Sequence, residues 1–334
     1  MKFLHVQMVR PPRPLFSSYR PISAILATPP PLSRHPPTRN FCSSPSRKEE
    51  NVLDRFSLKD RNYIVTGGGQ GIGFAMTQAI CQMGGNVAVL DRRDTPVDDF
   101  NSLSSKHGVK TEYFQTDVTK EESLKGSFEK AIEKLGSVNG LIPAAGITLD
   151  KPFLEQTWEE VDKLQQVNVC PNRARTCLIV HADKIMQIMG TFFATQLTVR
   201  QMLKQGTSGS IVMIASICAH QAAPGHKLSG YHASKGGVLM LSKALAVELA
   251  PHNIRVNTIS PGYINSDMTQ KLREQYPHLV EIMHKVPPMK RIGQPNDLTG
   301  AAVYLLSDAS GYTTGSDILI TGGLHAGRIE ANSV

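Results

Sequence analysis

The sequence lacks the features that would announce a metal, a disulfide framework or a membrane. Its five cysteines, Cys42, Cys81, Cys170, Cys177 and Cys218, are odd in number, scattered and never in a C-x-x-C pair. That excludes a zinc site or a disulfide scaffold as the organising element and favours a reducing compartment. No apolar run reaches the roughly 18 residues of a spanning helix, so no membrane association is expected. No internal repeat is visible, and before Glu49 there is no acidic residue at all. Outside two segments there is also no net charge. Of the overall +8, residues 1–50 carry +6 and residues 170–189 carry +2, which leaves 25 basic and 25 acidic residues elsewhere. A basic footprint for nucleic acid is therefore excluded for the body of the chain.

What is present suits an ordinary soluble globular body. With 40% hydrophobic and 19% charged residues, 334 residues can build a sizeable core, as one large α/β unit with additions or as two small domains. Residues 1–50 do not belong to that core. They are rich in Arg, Ser and Pro, and each Pro removes a donor and keeps its predecessor out of the helical region. Arginine without acid is the composition of an organellar transit peptide. Arg39-Asn40-Phe41-Cys42-Ser43-Ser44 resembles a mitochondrial processing site, with Arg two residues before an aromatic. A mitochondrial destination is expected; a cytoplasmic protein with a disordered tail or a misassigned start is the alternative.

From residue 51 to 334 apolar runs alternate with helix-period segments. The runs are Tyr63–Thr66, Val87–Asp91, Thr111–Thr116, Gly140–Ala144, Ser210–Ala215, Ile254–Ile259 and Asp317–Ile320, with Gly73–Met83, Leu124–Leu135, Gly236–Leu249 and Leu298–Leu306 among the helical stretches. Continuous apolar strands separated by helices predict one α/β domain, a doubly wound Rossmann-type fold on a mainly parallel seven-stranded sheet.

The first strand runs through Thr66-Gly67-Gly68-Gly69-Gln70-Gly71-Ile72-Gly73 into a helix. Such a turn lets backbone N–H groups at a helix start meet a pyrophosphate. Asp91 closes the second strand twenty residues past Gly71, where a carboxylate can bond the adenosine ribose hydroxyls and repel a 2′-phosphate. NAD(H) is favoured on that ground, while Arg92 and Arg93 keep NADP(H) open. Further on, Tyr231 and Lys235 stand four apart in a helical segment and so share a face. A phenol titrates near ~10 and is a poor base at neutral pH; a neighbouring ammonium, with an oxidised nicotinamide, is expected to lower it. Ser216 follows the apolar run Ser210–Ala215, at the carboxyl edge where open α/β sheets form their sites.

Gly67-x-x-x-Gly71-x-Gly73, Asp117-Val118, Pro143-Ala144-Ala145-Gly146, Asn168, Ser216, Tyr231-x-x-x-Lys235 and Pro261-Gly262 occur in this order. Together they resemble the classical short-chain dehydrogenase/reductase family over residues 56 to about 326. The resemblance implies an NAD(P)-dependent enzyme interconverting a secondary alcohol and a ketone. Ser216 would orient the substrate oxygen, Tyr231 would be the general acid/base, Lys235 would also hold the ribose, and Asn168 would anchor a relay water. Gly67, Gly71, Ile72 and Gly73 would cradle the phosphates and Asp117-Val118 would border adenine. The turn ending at Gly146 would also bind the cofactor, and Ile264 with Ser266 would hold the carboxamide. It further implies a homodimer or homotetramer. Pro143-Ala144 departs from the family's Asn-Asn and is expected to weaken sheet support.

Phe56-Ser57-Leu58-Lys59, Pro224-Gly225-His226 and Pro261–Met268 resemble fungal polyol and ketose enzymes of this family (arabinitol, mannitol, sorbose and xylulose oxidoreductases). A sugar alcohol/ketose pair is the substrate this implies. A reductase of a bulkier ketone in secondary metabolism and a non-catalytic cofactor-binding regulator are the rivals. His220, His226 and His232 lack metal spacing but are candidates to touch substrate, and Gln270–Arg291 resembles the family's variable lid. Residues 170–189 look foreign: the family reads V-N-V-x-G-x-F-F, whereas twenty residues here separate Val167-Asn168-Val169 from Gly190-Thr191-Phe192-Phe193. Pro171 is expected to stop the helix and leave Asn168 in a fraying turn. A translated retained intron is one explanation; a surface loop, with the helix resuming at about Gly190, is the other.

Overall fold

A computed structural model describes residues 51–97, 99–168 and 190–327. The transit-peptide-like segment 1–50 and the insertion 170–189 lie outside the described residues. Seven strands, β1 (Asn62–Thr66), β2 (Asn86–Asp91), β3 (Thr111–Gln115), β4 (Gly140–Pro143), β5 (Gly209–Ile214), β6 (Ile254–Pro261) and β7 (Asp317–Ile320), form one sheet in the order β3-β2-β1-β4-β5-β6-β7. Every pairing is parallel. The expected runs match these strands to within about two residues at each end.

Among the described residues the helices are α1 (Gly71–Gln82), α2 (Phe100–His107), α3 (Glu121–Leu135), α4 (Trp158–Asn168), α5 (Gly190–Gln205), α6 (Ser229–Leu249), α7 (Asp267–Gln275), α8 (His278–Lys285) and α9 (Thr299–Leu306). The apolar strands are buried on both faces because side chains alternate across them. Ile64, Leu141 and Ile211 pack with Phe128 of α3, Met202 of α5 and Leu241 of α6. Val65, Ile142 and Val212 point the other way, to Met76 and Ile80 of α1, Phe100 of α2 and Leu305 of α9.

The strand order reverses beside β1: β2 and β3 lie on one side of it and β4 on the other. Loops leaving the carboxyl ends of β1 and β4 therefore diverge and leave a crevice, the place where open α/β sheets bind ligands. Pro143 sits at its edge. The β4–β5 ladder has only Gly140↔Ser210 and Leu141↔Ile211 and stops short of Pro143, which has no N–H to give.

Asn168 departs from expectation. It is 1% exposed rather than frayed. Its Oδ1 accepts from Ile147 N–H at 2.7 Å, and its Nδ2 donates to the Ile147 carbonyl at 2.9 Å and to Ser234 Oγ at 3.1 Å. Bonds from outside the helix replace the bracing expected from continued helix.

Candidate active site

The carboxyl ends of β1, β2, β4, β5 and β6 open into one cavity of about 840 Å³. On its phosphate side, Gly67 and Gly71 have left-handed backbones, φ 67° and 56°, which turn the chain sharply from β1 into α1. Gly73 fits because it has no side chain: a Cβ there would lie 2.1 Å from the Gly67 carbonyl oxygen. Gln70 precedes α1 without capping it by a side-chain bond, and the first turn carries no acid. The leading N–H groups of α1 are thus left for an anion, and their dipole favours one. This cradle fits a dinucleotide pyrophosphate.

Asp91 ends β2 on the wall of the same cavity. Its Oδ2 accepts from Gly69 N–H at 2.9 Å and its Oδ1 from Arg93 N–H at 3.0 Å, so the buried carboxylate is held beside the glycine turn. The Arg93 guanidinium is turned to Gln70 Oε1 (2.7 Å) and the Thr95 carbonyl (3.2 Å).

Every residue the sequence proposed for the cofactor lines this one cavity: Gly67, Gly71, Ile72, Gly73, Asp91, Asp117, Val118, Gly146, Tyr231, Lys235, Ile264 and Ser266. Ser216 does as well, whereas Asn168 stands behind the wall and braces the Gly146–Ile147 turn. Val118 is anchored through Asp117, whose Oδ1 accepts from Thr119 N–H and Oγ1.

At the other end of the cavity, Ser216 leaves β5 in an extended conformation and accepts a bond from Cys218 N–H at 3.1 Å. Tyr231 and Lys235 rise from the first turns of α6, with Lys235 Nζ 5.7 Å from the Tyr231 ring centre. Lys235 Nζ donates to the Ile214 carbonyl at 2.8 Å, and burial lowers its pKa to about 8. The Tyr231 phenol is pushed well above its ordinary value, by burial first and by the nearby Cys218 thiol, while its bond with Ser216 pulls the other way. The lowering expected from Lys235 and an oxidised nicotinamide belongs to the cofactor complex; in the protein alone burial is the largest influence. In this environment burial wins, and the resting phenol keeps its proton.

All three candidate histidines have partners within the fold. His220 Nε2 meets Asp317 Oδ2 at 2.8 Å and Ser260 Oγ at 3.3 Å, tying the loop after β5 to β6 and β7. His232 is held at both nitrogens, by the Leu228 carbonyl (2.7 Å) and Ala223 N–H (3.1 Å). His226 pairs with Asp150, at 2.6 Å. The lid-like segment borders the site: Met268, Lys271, Leu272 and Gln275 line the cavity, and Leu279 and Met283 of α8 pack on Ile217, Cys218 and Leu228. Sequence reasoning did not single out Glu159, Asp162, Lys163 and Gln166 of α4, which make the polar rim. Their spacing reads only as the solvated face of a helix.

Among the described residues no cluster of His, Cys, Asp and Glu could hold a metal ion, and no helix is long and apolar enough to cross a membrane. The family pattern of the short chain dehydrogenase matches residues 61–277. The chain is 34% identical over 275 residues to a sorbose reductase of Schizosaccharomyces pombe, covering 81% of this chain and 98% of that protein. It is 32% identical to a probable NADP-dependent mannitol dehydrogenase of Yarrowia lipolytica, covering 82% of this chain and 91% of that one. Its fold is similar to the crystal structure of an NADPH-dependent 3-quinuclidinone reductase from Rhodotorula rubra, with a TM-score of 0.71, 31% identity, and coverage of 85% and 98%. The chain belongs to the short-chain dehydrogenase/reductase family and is an NAD(P)-dependent oxidoreductase.

Proposed function

We propose that this enzyme interconverts a sugar alcohol and a ketose, with Tyr231 as general acid/base. The observation that carries the reading is the meeting of Ser216, Tyr231 and Lys235 at one end of a cavity whose other end is a pyrophosphate cradle. Similarity to a sorbose reductase and a probable mannitol dehydrogenase supports the substrate class. So does the rim of Glu159, Asp162, Lys163, Gln166, Lys271 and Gln275, which offers a hydroxylated chain donors and acceptors that a lipophilic ketone could not use.

A nicotinamide cofactor held by the residues that line this cavity would supply or accept the hydride and, when oxidised, would bring positive charge to the site. Ser216 Oγ orients the reacting oxygen. Tyr231 Oη gives its proton to that oxygen in reduction and takes it back in oxidation; the resting phenol holds the proton that reduction needs, and a charged Lys235 eases its release. Lys235 holds the ribose and, when charged, favours the phenolate. Asn168 keeps the Gly146–Ile147 turn and Ser234 in place around them.

NAD(H) is the cofactor favoured by Asp91, whose fixed carboxylate accepts ribose hydroxyls and repels a phosphate, and by the engagement of Arg93 elsewhere. We further infer import into mitochondria directed by residues 1–50, with cleavage near Phe41–Ser44, and a homodimer or homotetramer. Mass spectrometry of the native N-terminus and light scattering test these two. The substrate reading is tested by reductant consumption over a panel of ketoses and lipophilic ketones, using protein truncated before Val52. Turnover confined to bulky ketones would move the enzyme to the rival class, and bound cofactor without turnover on any of them would mark a regulator.

A further inference from the structure

Gln70, Arg92 and Arg93 line the cavity together with the Asp91 carboxylate. The main chain of Arg93 is pinned at this place. Its N–H donates to Asp91 Oδ1 at 3.0 Å, and its carbonyl accepts from the Tyr113 hydroxyl at 3.1 Å. Tyr113 stands against the glycine turn as well: a Cβ on Gly69 would lie 3.0 Å from its hydroxyl oxygen and 3.0 Å from Asp91 Oδ2. The Arg93 side chain is therefore rooted within hydrogen-bond reach of the carboxylate assigned to the adenosine ribose.

The guanidinium is spent across the turn. Nε donates to the Thr95 carbonyl at 3.2 Å, a contact within the loop that follows β2. Nη1 donates to Gln70 Oε1 at 2.7 Å and so crosses from that loop to the residue immediately before α1. Gln70 is neutral, so its amide oxygen holds the positive charge in place without neutralising it. The two nicotinamide cofactors meet this arrangement differently. NAD(H) offers ribose hydroxyls to Asp91 and asks nothing of Arg93. NADP(H) brings a phosphate to the 2′ oxygen, and pairing it with Arg93 requires Nη1 to leave Gln70. A bond that only one of two ligands must break is subtracted from the affinity of that ligand alone.

We propose that Gln70 is a cofactor-specificity residue: by holding the Arg93 guanidinium against the glycine turn, it withholds that cation from a 2′-phosphate and adds to the discrimination exerted by Asp91. This rests on the reading of Asp91 as the ribose acceptor and deepens it. Repulsion by the carboxylate and retention of the arginine act on one phosphate through different residues, so they can be separated.

The test is a set of binding isotherms for the whole enzyme, Gln70→Ala, Arg93→Met and the double variant. The probes are adenosine 5′-monophosphate and adenosine 2′,5′-bisphosphate, with NADH and NADPH followed by fluorescence. Gln70→Ala is expected to tighten the bisphosphate relative to the monophosphate, and NADPH relative to NADH, by about threefold or more, the scale of one exposed hydrogen bond to a charged group. The gain should vanish in the double variant and shrink as salt rises. No change in either ratio would overturn the proposal. So would a gain that survives the loss of Arg93, which would assign the phosphate to Arg92. A wild-type enzyme that binds NADPH about tenfold or more tighter than NADH would instead overturn the reading of Asp91, and the retention of Arg93 with it. Arg93→Met leaves the main-chain bonds of residue 93 in place. Should it still fail to fold, the salt dependence of Gln70→Ala decides: a gain indifferent to salt refutes the released cation, and one that fades with salt supports it.

Discussion

Asn168 reads the backbone of Ile147 at both its polar atoms, accepting from the N–H at 2.7 Å and donating to the carbonyl at 2.9 Å. Twenty-one residues separate the two, and the bonds hold α4 against the turn that forms the wall of the cleft. Asn168→Ala would leave the part-buried N–H and carbonyl of Ile147 without their partner, whereas Ser234 Oγ keeps its bond to the Tyr231 carbonyl. We expect a loss on the order of 3 kcal/mol in stability, since each buried unsatisfied group costs about 1–3 kcal/mol. Weaker cofactor binding should accompany it, because Gly146 then loses its support. Thermal melting with and without NADH checks both, and an unchanged melting temperature would contradict the bracing role.

Tyr231→Phe should abolish turnover, by a factor of about a thousand or more, with cofactor affinity nearly intact, because it removes one proton and little volume. Lys235→Ala should damage turnover and binding together. Single-turnover hydride transfer beside a binding isotherm separates the two effects; a Tyr231→Phe enzyme with near-native rate would remove tyrosine from the acid/base role.

The lysine itself gives a pH test. Burial lowers Lys235 from an ordinary 10.5 to about 8, so between those values the folded protein holds one proton fewer than the unfolded chain. By linkage, stability contributed by this site rises with pH across that window, and below it the buried ammonium opposes folding by on the order of 3 kcal/mol. The melting-temperature difference between wild type and Lys235→Met should therefore shift in favour of wild type from pH 7.5 to 9.5. Cofactor affinity should fall over the same range as the ammonium is lost. A flat difference would place the lysine pKa outside the window.

Asp91 is expected to give NADH the higher kcat/KM, and Asp91→Ala to narrow the gap by about tenfold or more, the scale of one charged contact. The bonds from Gly69 and Arg93 N–H would be lost with it, so NADH binding should weaken as well. A wild-type preference for NADPH of tenfold or more would mean that Arg92 or Arg93 outweighs the carboxylate.

The parts of the site that were legible in the sequence are those set by local pattern. The glycine turn, Asp91 at a strand end and the Tyr231/Lys235 spacing each follow from one element and the turn beside it. What escaped depends on chain segments far apart. His220 looks like a substrate contact until Asp317, ninety-seven residues on, is seen to occupy it. The His226–Asp150 pair closes over seventy-six residues. The spacing of Tyr231 shows the lysine but not the burial that raises the phenol before any cofactor binds.

The junction of α4 and α5 carries the last prediction. A Cβ on Gly190 would lie 2.7 Å from the Val167 carbonyl oxygen, and Thr191 Oγ1 donates to the Asn168 carbonyl at 3.1 Å. Inside one helix, a threonine commonly bonds the carbonyl four residues before it. Thr191 thus occupies the place of a residue four after Asn168, and Gly190 that of a residue four after Val167. Only Val169 and Cys170 are needed to bridge them as a continuous helix, which leaves nineteen residues, 171–189, as excess. We propose that these come from a translated retained intron, and that removing them restores the helix without moving the site. The enzyme lacking 171–189 should match or exceed the full chain in kcat and melt several degrees higher, since a long loop closure is removed. Removing one residue more or fewer would turn α5 by about 100° against α4 and should be far worse. Lower activity for the nineteen-residue deletion than for its neighbours would refute the register. A lone transcript containing codons 171–189 would refute the intron while leaving the register argument standing.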